Sequence, residues 1–258
     1  KPFGVVPRSF VAGTFAPAAT VRRINKGLRR RKYENDSFRF PQPSQFDIGR
    51  GWIDLPKIGI VRMKIHRSIK GRVRTATVIR DGEWWMVSIV VEQTVADPAA
   101  PTGEPVGGDV GVAQPLVLSN GQKPEMARQS AEERRKRARL HKTIARRRKG
   151  SRNRQKAIRA LRRFEARIRR RRAHHQHVAT SRMARNHRVV VLEALKVKNM
   201  TASARGSAEN PGRNIAQKAG LNRSMLDVAP GEIRRQAAYK TTWYGSRLVL
   251  VSPAYDAD

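Results

Sequence analysis

The sequence predicts a multidomain α+β chain: a small β-barrel, then an α/β domain carrying a long basic helical hairpin as an insertion. Three observations carry this expectation. Residues 37–95 run in short alternating segments with turn residues between them. Residues 107–258 set apolar strands around long helices. Between those strands, residues 134–172 hold 21 Lys or Arg and one acid, Glu165. A stretch rich in Pro, Ala and Gly, residues 96–106, reads as the linker between the two domains.

Composition narrows the partners. The 258 residues carry 55 Lys or Arg against 20 Asp or Glu, a formal charge of +35. So large a surplus repels itself in a compact chain and calls for a polyanion, with nucleic acid first because each neutralised phosphate releases counterions. No apolar run approaches the ~20 residues of a membrane-spanning helix, so a membrane is not among the expected partners. The absence of cysteine excludes disulfides and thiolate metal sites within these residues.

Taken in order, residues 1–36 are rich in Pro and Arg and form a basic N-terminal segment. Its one helical candidate is Ala18 to Arg31, where Val21, Ile24 and Leu28 share a face. Residues 37–95 change period. Phe38-Arg39-Phe40, Trp52 to Leu55 and the alternating Val61, Met63 and Ile65 read as strands, as do Val73 to Arg80 and Trp84 to Val91, joined by Asp81-Gly82. The barrel's polar face carries Arg62, Lys64, Arg67, Lys70, Arg72 and Arg74, which suits a nucleic-acid backbone.

Val110, Val112 and Leu116 to Leu118 continue the second domain as strand, with a turn at Ser119-Asn120-Gly121. Residues 129–187 form the hairpin, broken at Gly150 to Asn153 and opened by Ser130 with Glu133 as a capping box. Leu140 and Ile144, then Ile158, Leu161, Phe164 and Ile168, make a narrow apolar seam. The other faces are basic, including Arg146, Arg147, Arg148, Arg162, Arg163 and Arg170. Like charges at this density weaken a helix unless something negative lies along it. Val189 to Leu192 is a strand, residues 196–230 a loop or lid, Gly231 to Tyr244 a helix closed by Gly245, and Arg247 to Val251 a last strand.

Two carboxylates stand apart. Asp109 lies in the glycine-flanked strand Gly107-Gly108-Asp109-Val110-Gly111, and Glu193 ends the strand Val189 to Leu192. A local turn or a solvent-facing strand end accounts for either acid alone. Together they fit an RNase H-like sheet, in which acids from neighbouring strands converge on two divalent ions ~3.5–4 Å apart. Mg²⁺ suits such oxygen ligands. On the helix after the loop, Arg235, Gln236 and Lys240 are candidates for contact with phosphates of the cleaved strand; a solvated helix face accounts for them as well.

These residues resemble the TnpB family of transposon-encoded RNA-guided nucleases. Gly108-Asp109-Val110-Gly111-Val112 is similar to the family's first RuvC motif and Val190 to Met200 to its second. Lys218-Ala219-Gly220-Leu221-Asn222, Tyr239-Lys240 and Val251-Ser252-Pro253-Ala254-Tyr255 resemble later segments. Leu55-Pro56-Lys57-Ile58-Gly59 and Gly82-Glu83-Trp84-Trp85 resemble its wedge barrel. Compact type V CRISPR effectors share this architecture and are not separated from TnpB by these residues.

The resemblance implies a guide RNA, target double-stranded DNA read beside a short motif, one RuvC site cutting with two Mg²⁺ ions, and a prokaryotic intracellular setting. A nuclease-inactive RNA-guided repressor is the alternative, and a structural RNA-binding protein a more distant one. The sequence also departs from the family. Members continue past the Pro-Ala-Tyr segment into a four-cysteine zinc ribbon and then a third RuvC acid, whereas Tyr255 here is followed by Asp256-Ala257-Asp258. The expectation is therefore a longer protein from which segments are missing, with Asp258 as the third catalytic and metal-binding acid. Zn²⁺ is expected only if the missing segments include that ribbon.

Overall fold

The computed structural model describes residues 6–15, 37–82, 84–207 and 209–252. The helix expected over Ala18 to Arg31, the Pro253-Ala254-Tyr255 segment and Asp258 lie outside them. The chain is a mixed α+β protein that divides into two compact units. One comprises Lys1–Ala96 and Leu140–Ala166, the other Asp97–Arg139 and Arg167–Asp258. The basic hairpin is thus shared between them.

In the first unit, β1 (Val6–Phe15), β2 (Ser37–Phe40), β6 (Arg72–Asp81) and β7 (Trp84–Gln93) form an antiparallel sheet in the order β1-β7-β6-β2. A second sheet joins β3 (Asp47–Gly49), β4 (Trp52–Leu55) and β5 (Gly59–Arg62). Alternation decides the inner face of β7: Trp85, Val87, Ile89 and Val91 are buried while Met86, Ser88 and Val90 are partly exposed. They pack with Ile53, Leu55, Met63, Ala76 and Val78.

Strand β1 was not expected, because Pro7 and Gly13 interrupt its apolar pattern. Its place explains the proline: β1 is an edge strand, where a missing N–H costs no interior ladder bond. Gly82 has φ +67, and a Cβ there would lie 3.2 Å from that of Ala166. The hairpin turn between β6 and β7 therefore approaches the helix closely.

In the second unit, β8 (Val106–Asp109), β10 (Val189–Glu193) and β11 (Arg247–Val251) run parallel, and β9 (Val117–Leu118) pairs antiparallel with β8. The order is β11-β10-β8-β9. Helices α1 (Ala131–Arg146) and α2 (Arg152–Asn186) lie between β9 and β10 in the chain. Ser130 Oγ accepts from the Glu133 N–H at 3.1 Å and Glu133 Oε2 from the Ser130 N–H at 3.2 Å, so the capping box at α1 is formed. The Arg171 guanidinium bonds both Glu133 oxygens, at 2.9 and 2.6 Å, and holds that carboxyl below its usual range.

The segment 196–230, expected as loop, contains α3 (Val197–Met200) and α4 (Ile215–Val228). Gly220, Asn222 and Ser224 blur the helical pattern of α4, and tertiary bonds stabilise it instead. Arg172 donates to Leu226 O at 3.1 Å, Gln176 Nε2 to Val228 O at 2.9 Å and Asn222 Nδ2 to Thr201 O at 2.9 Å. Helix α5 (Pro230–Tyr244) follows after Ala229, which sits at φ +54. Among the described residues, no helix is long and apolar enough to cross a membrane.

Candidate metal and nucleic-acid site

Strand register brings the two isolated acids together. Val190 pairs with Val106, Val191 with Gly107 and Leu192 with Gly108, so the next step along these parallel strands sets Glu193 beside Asp109. Neighbouring strands lie ~4.8 Å apart. Leu192 and Gly108 face the core formed by Leu116, Leu118, Ala179, Met183 and Ala237. Alternation therefore turns Asp109 and Glu193 the other way. Asp109 is exposed and Glu193 partly so.

The glycine before Asp109 is dictated by packing. A Cβ at Gly108 would stand 2.8 Å from Leu192 Cδ2 and 3.3 Å from Met183 Cε. Only hydrogen fits there without movement, and the close approach fixes the strand that ends in Asp109.

A shallow pocket opens at the carboxyl end of these strands. Val110, Leu192, Glu193 and Leu195 line one side and Pro230, Gly231 and Arg234 of α5 the other. The Arg234 guanidinium donates to Leu195 O at 3.3 Å. The sequence reading missed Arg234. Its signal was the phase of α5: Ile233 and Ala237 are buried, which sets Arg234 on the flank next to the strand ends.

The donor set fits a hard divalent cation. Two carboxylates end adjacent parallel strands, within reach of solvent, and such ions take oxygen ligands. Among the described residues, no three His, Cys, Asp or Glu side chains converge on one point. The described residues thus bring two carboxylates together here. Asp258, expected as the third, lies outside the described residues.

The expected nucleic-acid residues fall on both units. In the first, Arg62, Lys64, Arg72, Arg146, Arg147, Arg148 and Arg163 are exposed, Arg162 is partly buried, and Arg74 pairs with Glu92. In the second, Arg170 is exposed and Arg235 is exposed but held by both oxygens of Glu232, at 2.8 and 2.6 Å. Lys240 departs from the expectation. It is 4% exposed, and its ammonium donates into the protein, to His177 O and Thr180 Oγ1, both at 2.7 Å. Its phase on α5 points it at α2, so it is not on a face that phosphate can reach. Burial, reinforced by the charge of Arg185, lowers its pKa to about 8.

A family model described as "Probable transposase", the IS605 OrfB family, matches residues 88–204. Among curated proteins, "Putative RNA-guided DNA endonuclease InsQ" of Escherichia coli K12 is 39% identical over 226 residues, covering 88% of this chain and 56% of that protein. A "Putative RNA-guided DNA endonuclease" of Streptomyces pristinaespiralis is 34% identical over 178 residues, covering 69% and 40%. The chain therefore spans about half the length of the curated relatives it matches. Among solved structures, a chain from "Cryo-EM structure of the Cas12f1-sgRNA-target DNA complex" is 16% identical, with 91% of this chain and 58% of that one covered at a TM-score of 0.48.

Proposed function

We propose that this chain, which belongs to the TnpB family, is the catalytic part of an RNA-guided DNA endonuclease with a RuvC-type site. The observation that carries the reading is the placement of Asp109 and Glu193 side by side at the carboxyl ends of β8 and β10. An order of β11-β10-β8-β9, with three parallel strands and one antiparallel, suits an RNase H-like sheet. The names of the curated relatives favour the same activity.

In this reading Asp109 and Glu193 hold Mg²⁺, with Asp258 as a third ligand. Bound there, the ions supply Lewis-acid stabilisation to a phosphodiester. The chain's own residues do the rest. Gly231 and Arg234 border the cleft beside Glu193, and the guanidinium suits a backbone phosphate. The exposed arginines of the hairpin and the β unit hold guide RNA and the paired target by charge, while base pairing reads the sequence. In the same reading the two-sheet β unit serves as the wedge domain.

The test begins with the nucleic acid that the purified full-length protein carries. Sequencing should return one transcript with a variable guide, and a duplex matching that guide should be cut only when Mg²⁺ is present. A mixed population of ribosomal RNA, with no cutting of any matched duplex, would refute the proposal.

A further inference from the structure

Helix α5 meets α2 through a buried strip that is polar. Gln176 and Thr180 of α2 and Gln236 and Lys240 of α5 are between 0% and 4% exposed. Lys240 Nζ donates to His177 O and to Thr180 Oγ1. Thr180 Oγ1 lies 3.0 Å from Gln236 Oε1 and 2.7 Å from Gln176 O, either of which accepts its proton. Gln236 Nε2 donates to Glu232 Oε1 at 2.9 Å, and Glu232 also accepts from Arg235. An unbroken chain of hydrogen bonds thus runs from the main chain of α2 to the first turn of α5.

Stability does not explain this strip. A buried cation is costly, and among the described residues no carboxylate forms an ion pair with Lys240. Hydrogen bonds, however, fix direction and register, which the neighbouring contacts of Ile233 and Ala237 do not. The helix fixed in this way carries Pro230, Gly231 and Arg234, the pocket wall beside Glu193.

We infer that Lys240 is a positioning residue: with Thr180 and Gln236 it sets the rotation and axial place of α5 on α2, and so seats Gly231 and Arg234 beside Glu193. The inference rests on the nuclease reading for its consequence, but the seating is a property of the protein alone. Arg234 touches the cleft; Lys240 acts through the helix that bears it.

The test uses the full-length protein with its bound RNA and the variants Lys240→Met, Thr180→Val and both together. Expected are a fall of up to about 100-fold in the single-turnover cutting rate, the scale of a 1 Å misplacement, and affinity for matched DNA within about twofold of wild type. Amide exchange at residues 231–234 should quicken while the carboxyl end of α5 stays protected. The double variant should fall little further than either single one, because both break the same chain. Wild-type cutting and wild-type exchange in the variants would overturn the inference, and so would slow cutting with unchanged exchange. Should Lys240→Met fail to fold, Thr180→Val carries the same comparison. Quickened exchange in a protein whose wild type cuts no matched DNA would uphold the seating and overturn the nuclease reading instead.

Discussion

Replacing Lys240 by Met should remove a pH dependence from the stability of the chain. Burial lowers the Lys240 pKa from 10.5 to about 8. Between those values the unfolded chain keeps a proton that the folded chain has released, so stability rises with pH through that window. One pKa unit corresponds to 1.36 kcal/mol. Keeping the ammonium charged below pH 8 therefore costs on the order of 2–4 kcal/mol relative to a neutral amine.

Lys240→Met removes that cost and leaves little unpaired. Thr180 Oγ1 retains acceptors in Gln176 O and Gln236 Oε1, and His177 O lies within α2, where the helix ladder serves it. The assay is urea unfolding of both proteins at matched ionic strength from pH 7 to pH 10. At pH 7 the variant should be at least as stable as wild type. Between pH 8 and 10 wild type should then gain on it by about 2 kcal/mol in all, because the titration is only partial near each end of that range. Parallel curves across that range would refute the assignment of a buried, desolvated ammonium.

Two further perturbations test the packing around the site. Gly108→Ala places a methyl 2.8 Å from Leu192 Cδ2 and should cost about 1–3 kcal/mol in urea unfolding, since the side chains it meets are themselves packed; an unchanged midpoint would contradict the close approach of β8 to the core. Ala229 holds φ +54 between α4 and α5, a conformation that costs an L-residue roughly 1–2 kcal/mol and glycine little. Ala229→Gly should therefore raise the midpoint by the equivalent of about 0.5–1 kcal/mol, the rest being lost to the entropy of the unfolded chain, and a destabilised variant would mean that the turn is not strained.

Most of the site was legible because it lies on strands whose pattern is unambiguous. Val190 and Leu192 alternate inward, glycines crowd Asp109, and the chain order of strands sets the two acids on neighbours. The interior of β7 was equally plain in its alternation. What escaped was of two kinds. Strand β1 and helix α4 hold residues that weaken local signals, Pro7 and Gly13 in one and Gly220 with Asn222 in the other, and pairing with β7 or bonds from α2 decide their structure. The roles along α5 depended on phase: Arg234, Arg235 and Lys240 are alike as residue types, yet one borders the cleft, one is tied to Glu232 and one is buried. A lysine reads as surface until its neighbours are known.

The central claim is that Asp109 and Glu193 form one metal-dependent cutting site. It is tested most directly by comparing wild type with Asp109→Ala, each loaded with the same RNA, on a matched duplex with Mg²⁺. Binding and cutting are measured on the same samples. The account predicts that the variant binds the duplex as wild type does and cuts it at least 1,000-fold more slowly, on the order of the loss of a catalytic group. Cutting at the wild-type rate by Asp109→Ala would contradict it.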